Sequence, residues 1–479
     1  MDAIHDADMI AADARWRARD LDVLWHPCTQ MREHPHTLPL VPIARGEGAW
    51  LVGQDGRRYL DAVSSWWTNL FGHAEPRIGE AIARQAGTLE QVILAGFSHP
   101  PAVELAERLL AAAPREHSDE GMGRAPLAKV FYADNGSAGV EVALKMAFHW
   151  FHNRGEHTRT KFVALENGYH GETIGALSVG DIPLYRRVYA PLLVESLFAP
   201  SPDSYLAAPG QSAEDRARIA ADGLRALFEQ HPGEICALIL EPLVQCAGGM
   251  RMHHPLYLRL ARELCDAHGV FLIADEIAVG FGRTGTMFAC EQAPAGASGG
   301  EAGIQPDLLC LSKGLTGGFL PLAAVLTTQA VYDGFLDDSR ERAFLHSHSY
   351  TGNPLACAAA LASLSIFEAD DVIARNRVTA QTMASLAAPF ADLPHVADVR
   401  QTGMIVAFEL ARDGNRHTPF DADHRVGLHA YRGALERGVV LRPLGDILYW
   451  MPPYCIDADQ LQLLAVATRD VIIEATACA

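Results

Sequence analysis

Two residues of complementary charge, Asp275 and Lys313, follow short apolar segments of the chain. Asp275 comes directly after 270–274 (VFLIA), and Lys313 comes just after 308–311 (LLCL). Both segments are predicted to be buried β-strands. A carboxylate at the end of a buried strand needs a cationic partner, because burial of an unpaired charge is costly. We expect both side chains to lie in the crevice at the carboxyl edge of one sheet, where open α/β sheets bind ligands.

An amine and a carboxylate in one crevice suit the chemistry of pyridoxal 5'-phosphate. Lys313 would bond the cofactor as a Schiff base, and Asp275 would keep a proton on its pyridinium nitrogen, so that the ring can take up electrons. An ion pair that only joins two strands explains these two residues equally well. The choice depends on the other parts that such a site requires.

A phosphate-binding turn and a stacking aromatic ring are two such parts. A predicted strand at 129–133 runs into a helix that begins near Gly136 and Ser137. Free N–H groups and the helix dipole attract an anion there, and glycine allows close approach. Ordinary helix capping accounts for the same residues. Tyr169, flanked by glycines after the strand at 161–165, is placed to stack on a planar cofactor, although turn aromatics also have structural roles.

Two other motifs suggest different chemistry, and both fail on context. The segment 280–285 (GFGRTG) matches the glycine pattern of nicotinamide-dependent dehydrogenases, which requires a strand that leads directly into a helix. Here 275–279 intervenes, and 286–290 has no helical pattern. The histidines at 253–254 and 346–348 lack further ligands at the spacing of zinc sites, so no metal is predicted.

The composition excludes several classes of protein. The 39 Lys and Arg residues against 58 Asp and Glu give a net charge of −19 without basic runs, which argues against nucleic acid as a partner. No apolar run approaches the length of a membrane span, and residues 1–20 lack the apolar core of a signal peptide. The nine cysteines stand singly, as buried free thiols of a reducing compartment do. We expect a cytoplasmic protein without a membrane partner.

The elements around the candidate site alternate between strands and helices. Apolar strands predicted between residues 70 and 325 are separated by helical patterns, such as the one that ends at Gly269. The predicted strands are 129–133, 161–165, 235–240, 270–274, 308–311 and 322–326. This order predicts an α/β fold with a mostly parallel sheet covered by helices on both faces.

The two ends of the chain do not follow this alternation of strands and helices. The first 65 or so residues are expected to hold extended segments, among them a hairpin at 48–60, and to form an arm too small for its own core. After residue 354 an alanine-rich helix leads to strands near 404–410, 439–441 and 447–450. We therefore predict three parts: an N-terminal arm that joins the small domain (1–69), a large cofactor-binding α/β domain (70–345) and a small α+β domain (346–479).

Residues 275–285 together with 311–318 (LSKGLTGG) closely resemble the signature of class III pyridoxal-phosphate-dependent aminotransferases. The resemblance implies the fold type I of pyridoxal-phosphate enzymes and transfer of an amino group. Within that family, 24–31 (LWHPCTQM), 168–173 (GYHGET) and 442–445 (RPLG) are similar to the branch that aminates 8-amino-7-oxononanoate in biotin biosynthesis.

The resemblance also implies roles for particular residues. Lys313 would carry the cofactor and move the substrate proton, and Asp275 would contact the pyridinium nitrogen. Gly136 and Ser137 would bind the phosphate, and Tyr169 would pack on the ring. The implied substrate contacts are Trp66, Trp67, Ser347 and Arg442, of which Arg442 would bind the carboxylate of the oxo acid. The implied contacts with the cofactor phosphate are His348 and Ser349, which would reach it across a homodimer interface.

The amino donor and the exact activity remain open at this point. Trp66 with Trp67 favours S-adenosyl-L-methionine as donor, whereas 348–353 (HSYTGN) resembles the branch that uses lysine. Cys28 stands where the best-known members have tyrosine, and a thiol is a poorer hydrogen-bond donor than a phenol. Another class III activity, ω-amino acid:pyruvate transamination, and a binding protein on the same scaffold are the alternatives.

Overall fold

The computed structural model describes residues 2–115, 124–296, 302–413 and 418–477. The chain divides into two compact units, one formed by Met1–Pro76 with Val378–Ala479 and the other by Arg77–Arg377. No helix within the described segments is both long enough and apolar enough to cross a lipid bilayer.

The strands and helices are numbered in chain order. The strands are β1 (Ile43–Glu47), β2 (Trp50–Gly53), β3 (Arg58–Asp61), β4 (Leu127–Ala133), β5 (Lys161–Leu165), β6 (Leu197–Ala199), β7 (Ile235–Leu240), β8 (Val244–Gln245), β9 (Arg251–Met252), β10 (Phe271–Asp275), β11 (Leu308–Leu311), β12 (Ala323–Thr328), β13 (Val396–Thr402), β14 (Ile405–Leu410), β15 (Val439–Val440) and β16 (Ile447–Trp450). The helices are α1 (Asp2–Val23), α2 (Ser64–Trp67), α3 (Pro76–Ala86), α4 (Pro100–Ala112), α5 (Gly136–Asn153), α6 (Ile174–Ser178), α7 (Pro183–Arg186), α8 (Ala213–Gln230), α9 (Leu256–His268), α10 (Gln329–Asp333), α11 (Pro354–Ala369), α12 (Val372–Ala387), α13 (Val426–Glu436) and α14 (Ala458–Ala477).

The unit Arg77–Arg377 is built on a seven-stranded sheet in the order β4-β12-β11-β10-β7-β5-β6. β12 runs antiparallel to both of its neighbours, and the other neighbouring strands are parallel. β7 and β11 are buried along their whole length, because their apolar residues face covering layers on both sides. The predicted α/β fold with a mostly parallel sheet is confirmed.

Helix α5 forms a large part of the core of this unit. Its buried residues, among them Val140, Ala143 and Ala147, pack on Ile239 and Ile273 of the central strands. Small residues let the helix approach the sheet closely, and the seam between them is apolar. The start of α5 is thereby fixed against the edge of the sheet that holds Asp275.

The unit with both chain ends contains two smaller sheets, β1-β2-β3-β15 and β13-β14-β16. The predicted hairpin is present as β2 and β3, with Trp50 opposite Leu60. The extended segments predicted for the first 65 or so residues do not include residues 2–23, which form the helix α1 that the sequence analysis did not predict. This segment contains neither glycine nor proline and is rich in alanine, so its intrinsic helix propensity is high.

The predicted domain limits at 69/70 and 345/346 stay a prediction, and the compact units follow different limits. Helix α11 belongs to the unit Arg77–Arg377. His99 Nε2 contacts the Gly352 carbonyl oxygen at 2.8 Å just before this helix, and Arg108 of α4 donates to the Leu361 carbonyl oxygen within it. These contacts tie the segment after residue 345 to α4.

The cysteines agree only in part with the expectation of buried free thiols. None of the eight cysteines in the described segments is in a disulfide bond, and six of them are buried. Cys28 is exposed and Cys455 is partly buried, which corrects the expectation for these two. Cys478 lies outside the described residues.

Candidate active site

Asp275 and Lys313 lie at the carboxyl ends of two neighbouring parallel strands. Asp275 is the last residue of β10 and stands opposite Cys310 of β11 in the register of the sheet. Lys313 opens the helical turn that follows β11. The parallel register therefore brings the carboxylate and the amine to the same edge of the sheet, as the sequence predicts.

The carboxylate of Asp275 is buried, and His170 is a direct partner. Oδ2 of Asp275 accepts a hydrogen bond from His170 Nδ1 at 2.7 Å, and Oδ1 accepts one from the Ile277 N–H at 3.1 Å. His170 is buried as well. The two donors fix the orientation of the carboxylate. Sequence reasoning expected only Lys313 as its partner and missed His170.

Lys313 combines backbone strain with a depressed pKa. Its φ of 44° lies in the left-handed region, which is unfavourable for a side chain with a Cβ atom. Burial lowers the pKa of the Lys313 amine below its ordinary value, although Cys246, Asp275 and Glu241 act in the opposite direction. A larger fraction of the amine is therefore neutral, which is the form that acts as a nucleophile or a base.

Glu241 is a further buried carboxylate at this edge of the sheet. It follows β7, and its Oε1 and Oε2 accept hydrogen bonds from the N–H groups of Tyr169 and Cys246, each at 3.0 Å. Burial raises the pKa of Glu241 to about 7. Sequence reasoning did not select Glu241, although its position directly after an apolar strand is the signal that identified Asp275.

The start of α5 forms a pocket of backbone donors. Among the described residues, the N–H groups of Gly136 and Ser137 have no acceptor, while Asn135 caps the helix by accepting from the Ala138 N–H at 3.0 Å. A Cβ atom on Gly136 would lie 3.0 Å from the side chain of Ile277. Gly136 therefore leaves space that a larger residue would fill, and the role of this turn as an anion site stays a prediction.

Two neighbouring turns frame this pocket. Ser137 Oγ lies 2.8 Å from Thr173 Oγ1 and accepts a hydrogen bond from the Thr173 N–H at 3.1 Å. Tyr169 is partly exposed, and its hydroxyl donates to Glu172 at 3.1 Å. Tyr169 thus lies in the turn that also carries His170, while Ser137 lies at the helix start. The structure brings both to the edge of the sheet where Asp275 ends.

The segment 346–349 occupies a different place. His346 Nδ1 lies 2.9 Å from Lys145 Nζ, and the rings of His346 and His348 are 5.0 Å apart. None of the contacts of Ser347, His348 or Ser349 within the described residues reaches Asp275 or Lys313. Their predicted contacts with substrate and cofactor stay predictions about a second subunit.

A cavity of about 350 Å³ lies in the unit with both chain ends. Trp66 and Arg442 line it, and the Arg442 guanidinium stacks on the Trp66 ring at 4.5 Å from the ring centre. The remaining lining residues are His26, Pro27, Thr29, His34, Leu38, Pro39, Leu40, Val41, Ile43, Leu51, Tyr59, Tyr431, Leu435 and Val440. None of these described lining residues is acidic, so the cavity suits an apolar chain that ends in an anion.

Two residues that the sequence linked to this region do not line the cavity. Trp67 is buried, and its indole N–H donates to the Tyr449 hydroxyl at 3.0 Å. Cys28 is exposed and lies between Pro27 and Thr29, which are lining residues. The predicted contact of Trp67 with substrate stays a prediction.

The comparison with known families gives the class of protein. Residues 30–472 match the family described as "Aminotransferase class-III". This span covers most of the chain, and it includes the strands and turns that carry Asp275, Lys313, Gly136 and Arg442. The protein belongs to the class III aminotransferases.

Three relatives within this family share one enzyme name. The chain is 44% identical over 466 residues to the adenosylmethionine-8-amino-7-oxononanoate aminotransferase of Nitratidesulfovibrio vulgaris, covering 97% of this chain and 82% of the relative. It is 44% identical to the enzyme of the same name from Geobacter sulfurreducens, covering 92% and 93%. The crystal structure of the enzyme of that name from Methanocaldococcus jannaschii superposes with a TM-score of 0.86 at 36% identity, covering 96% and 99%.

A relative with a different name has a similar fold. The omega transaminase from Pseudomonas jessenii, solved in complex with PMP, superposes with a TM-score of 0.87 at 29% identity. The two chains are covered to 96% and 98%. The fold alone therefore does not separate the two activities, and sequence identity is the remaining criterion among these comparisons.

Proposed function

We propose that the protein is a pyridoxal 5'-phosphate-dependent aminotransferase that converts 8-amino-7-oxononanoate to 7,8-diaminononanoate in biotin biosynthesis. S-adenosyl-L-methionine is the proposed amino donor. The observation that carries this proposal is that buried Asp275, its partner His170 and Lys313 lie together at one edge of the large sheet, where burial lowers the pKa of the Lys313 amine below its ordinary value. The names of the relatives at 44% identity support the choice of substrate.

The residues present fit the cofactor. Gly136 and Ser137 offer two N–H groups without acceptors at a helix N-terminus, as a phosphate requires. Asp275 offers a fixed carboxylate to a pyridinium nitrogen, and Lys313 offers an amine for covalent attachment. Pyridoxal 5'-phosphate, when bound, supplies the carbonyl group and the electron-withdrawing ring on which the amino group is carried.

Lys313 holds and moves the proton in this proposal. Because burial favours its neutral amine, Nζ can take the proton from the donor's carbon and pass it to the cofactor, and it can move a proton in the opposite direction, onto the acceptor's carbon, in the second half of the reaction. Asp275 stabilises positive charge at the edge of the sheet, and His170 keeps that carboxylate in place. Glu241 orients the turn that carries Tyr169 by accepting its backbone N–H.

The acceptor requires a site for a carboxylate at the end of a long apolar chain. The cavity lined by Trp66 and Arg442 combines an apolar wall with a guanidinium that no acidic group pairs with in the described residues. A guanidinium can bind a carboxylate through two parallel hydrogen bonds. Arg442 is therefore the proposed carboxylate-binding residue, and Trp66 the ring that covers it.

Two alternatives concern the donor and the acceptor. Lysine is the alternative amino donor, because 348–353 resembles the branch of the family that uses lysine. An ω-amino acid:pyruvate aminotransferase is favoured by the structural similarity to the omega transaminase. The higher identity to the relatives named for adenosylmethionine favours the first proposal.

The proposed assembly is a homodimer in the cytoplasm. His346 Nε2 and His348 Nδ1 are buried nitrogen atoms without a hydrogen-bond partner in the described residues. In the proposed dimer, His348 and Ser349 contact the cofactor phosphate of the second subunit, and Ser347 contacts the substrate. The free cysteines of the described segments support a reducing compartment.

Absorbance of the yellow holoenzyme tests the proposed function. S-adenosyl-L-methionine, lysine, alanine and β-alanine are added separately, and the loss of the yellow band is followed. We expect S-adenosyl-L-methionine to bleach the band and 8-amino-7-oxononanoate to restore it. Bleaching by lysine alone would transfer the proposal to the other donor. Bleaching by alanine or β-alanine without recovery by the oxo acid would overturn the proposed substrate.

A further inference from the structure

The segment 64–67 (SSWW) has an unusual backbone. Ser64, Ser65, Trp66 and Trp67 have φ angles of 50°, 45°, 72° and 71°, so four consecutive residues with Cβ atoms are in the left-handed region. Each such residue costs about 1–2 kcal/mol in isolation. Strain of this kind persists only where the surrounding structure fixes it. Trp66, the residue that stacks on Arg442, therefore depends on contacts outside the turn.

Two of these contacts hold the ends of the turn. Ser64 Oγ donates to the Met451 carbonyl oxygen at 2.7 Å, and Trp67 Nε1 donates to the Tyr449 hydroxyl at 3.0 Å. Both Ser64 and Trp67 are buried. Neither contact fixes the middle of the turn, where Ser65 and Trp66 are exposed.

Asp61 fixes the middle of the turn. Its Oδ2 accepts a hydrogen bond from Ser65 Oγ at 2.7 Å, and its Oδ1 accepts one from the Val63 N–H at 3.2 Å. The side chain of Asp61 is fully buried at the end of β3. Although its burial raises the pKa of Asp61, the hydrogen bonds from His73 and Ser65 bring that pKa below its ordinary value. The carboxylate therefore accepts as an anion, which strengthens each bond.

His73 orients this carboxylate. His73 Nε2 lies 2.9 Å from Asp61 Oδ2, and His73 Nδ1 lies 3.1 Å from the amide nitrogen of Asn69. The amide of Asn69 is itself oriented, because its oxygen accepts from the Gly72 N–H at 2.8 Å. The Asn69 nitrogen is a donor, so His73 Nδ1 accepts and Nε2 carries the proton. Asp61 thus receives donors on both oxygens and has one defined orientation.

We propose that Asp61 is a positioning residue for recognition of the acceptor's carboxylate, because its bond to Ser65 holds the left-handed turn that places Trp66 over Arg442. This inference rests on the proposed function, in which Arg442 binds that carboxylate. Asp61 itself does not line the cavity. Its effect on the reaction passes through the orientation of the Trp66 ring.

A double-mutant cycle tests the inference. The kcat and KM for 8-amino-7-oxononanoate are measured at saturating donor for the parent enzyme, Asp61→Asn, Ser65→Ala and the double variant. Each single variant is expected to raise KM about tenfold with kcat within about twofold, because substrate recognition rather than the chemical step is lost. The double variant should raise KM less than the two single effects combined, since both substitutions act on the bond between Ser65 and Asp61. Additive effects would overturn the inference.

A control variant of the enzyme and an analogue of the substrate distinguish the positioning of Trp66 from a general loss of stability. Ser385→Ala removes a hydroxyl that bonds only within its own helix, to the Gln381 carbonyl oxygen, and should leave KM unchanged. The carboxamide of the oxo acid lacks the anion, so its KM should be the same for the parent and for Ser65→Ala. If Asp61→Asn does not fold, Ser65→Ala decides alone, because Ser65 is exposed. A KM for the oxo acid that Ser65→Ala leaves unchanged would overturn the inference.

A spectroscopic readout keeps the inference distinct from the proposed function. If the parent enzyme does not convert the oxo acid, the proposed function fails. The near-ultraviolet circular dichroism of the tryptophans then tests the turn. Asp61→Asn and Ser65→Ala should both lose the component that Trp66→Phe removes. Spectra identical to that of the parent would contradict the role of Asp61 in holding the turn.

Discussion

The His170 imidazole donates from Nδ1 to Oδ2 of Asp275 at 2.7 Å, and both side chains are buried at the carboxyl edge of the large sheet. This bond joins the turn after β5 to the end of β10. It gives Asp275 a fixed direction, which a strand-end carboxylate without a partner would lack. In the proposed function this direction is what presents the carboxylate to the pyridinium nitrogen.

Asp275→Asn tests the charge of this carboxylate. The amide keeps the shape but cannot stabilise a proton on the ring nitrogen, so kcat should fall on the order of a hundredfold or more, as with removal of other electrostatic contacts. The measurement is kcat with saturating donor and acceptor, with cofactor content checked by absorbance. Asp222→Asn, at an exposed ion pair with Arg225, is the matched control. Turnover equal to that of the parent would show that Asp275 has only a structural role.

Lys313→Ala tests the base. Turnover should fall by a factor on the order of 10³ or more, because both the covalent attachment and the proton transfer are lost. The proposed phosphate-binding turn at Gly136 and Ser137 is unchanged, so the variant should still fold and bind cofactor. Lys129→Ala, whose amine lies over the Tyr332 ring, is the matched control. Substantial turnover by Lys313→Ala with cofactor bound would contradict the assignment.

Arg442→Ala tests where the carboxylate binds. Loss of a charged hydrogen-bonded contact costs about 1.5–3 kcal/mol, which corresponds to a roughly ten- to hundredfold higher KM for the oxo acid. The donor half-reaction, followed by loss of the yellow band, should stay close to that of the parent. Arg437→Ala, which removes an ion pair with Glu474, is the control. If both halves of the reaction are slowed together, Arg442 supports the fold or the cofactor instead.

Glu276 should make stability depend on pH. Its carboxylate accepts from the N–H groups of Ala289 and Cys290, and burial nevertheless raises its pKa to about 7. The folded state therefore holds a proton that the unfolded state releases above its ordinary pKa near 4.5. The stability from this group is present below pH 4.5 and is lost as the pH rises toward 7.

Denaturant unfolding between pH 5 and 7 measures this dependence. The free energy of unfolding should decrease more steeply with pH for the parent than for Glu276→Gln, by at most about 1.4 kcal/mol per pH unit for one proton. Glu214→Gln, at an exposed ion pair with Arg218, should keep the slope of the parent. Equal slopes for the parent and Glu276→Gln would show that Glu276 is charged throughout this range.

The strands and the first two site residues are predictable from the sequence because their signals are local. Fully apolar runs such as 235–240 and 308–311 identify buried strands, and polar residues at their ends identify the edge of the sheet. The same rule applied to Glu241 would have found it. Helix α1 has no apolar stripe along one face, so no periodic signal in the sequence predicts it.

Other features depend on contacts that no local pattern contains. His170 becomes part of the site only because the turn after β5 meets the end of β10. The left-handed turn at Trp66 contains no glycine, the usual signal for positive φ. It exists because Asp61, four residues before Ser65, and Tyr449, distant in sequence, hold it. The cavity at Arg442 likewise requires segments from both ends of the chain.

One labelling experiment tests the central claim most directly. The purified holoenzyme is incubated with S-adenosyl-L-methionine labelled with ¹⁵N at its amino group and with unlabelled 8-amino-7-oxononanoate. Mass spectrometry of the product should show 7,8-diaminononanoate with one ¹⁵N atom, at carbon 7, because the amino group passes from the donor to the ketone. Formation of no diamine, or of unlabelled diamine only, would contradict the proposed transfer.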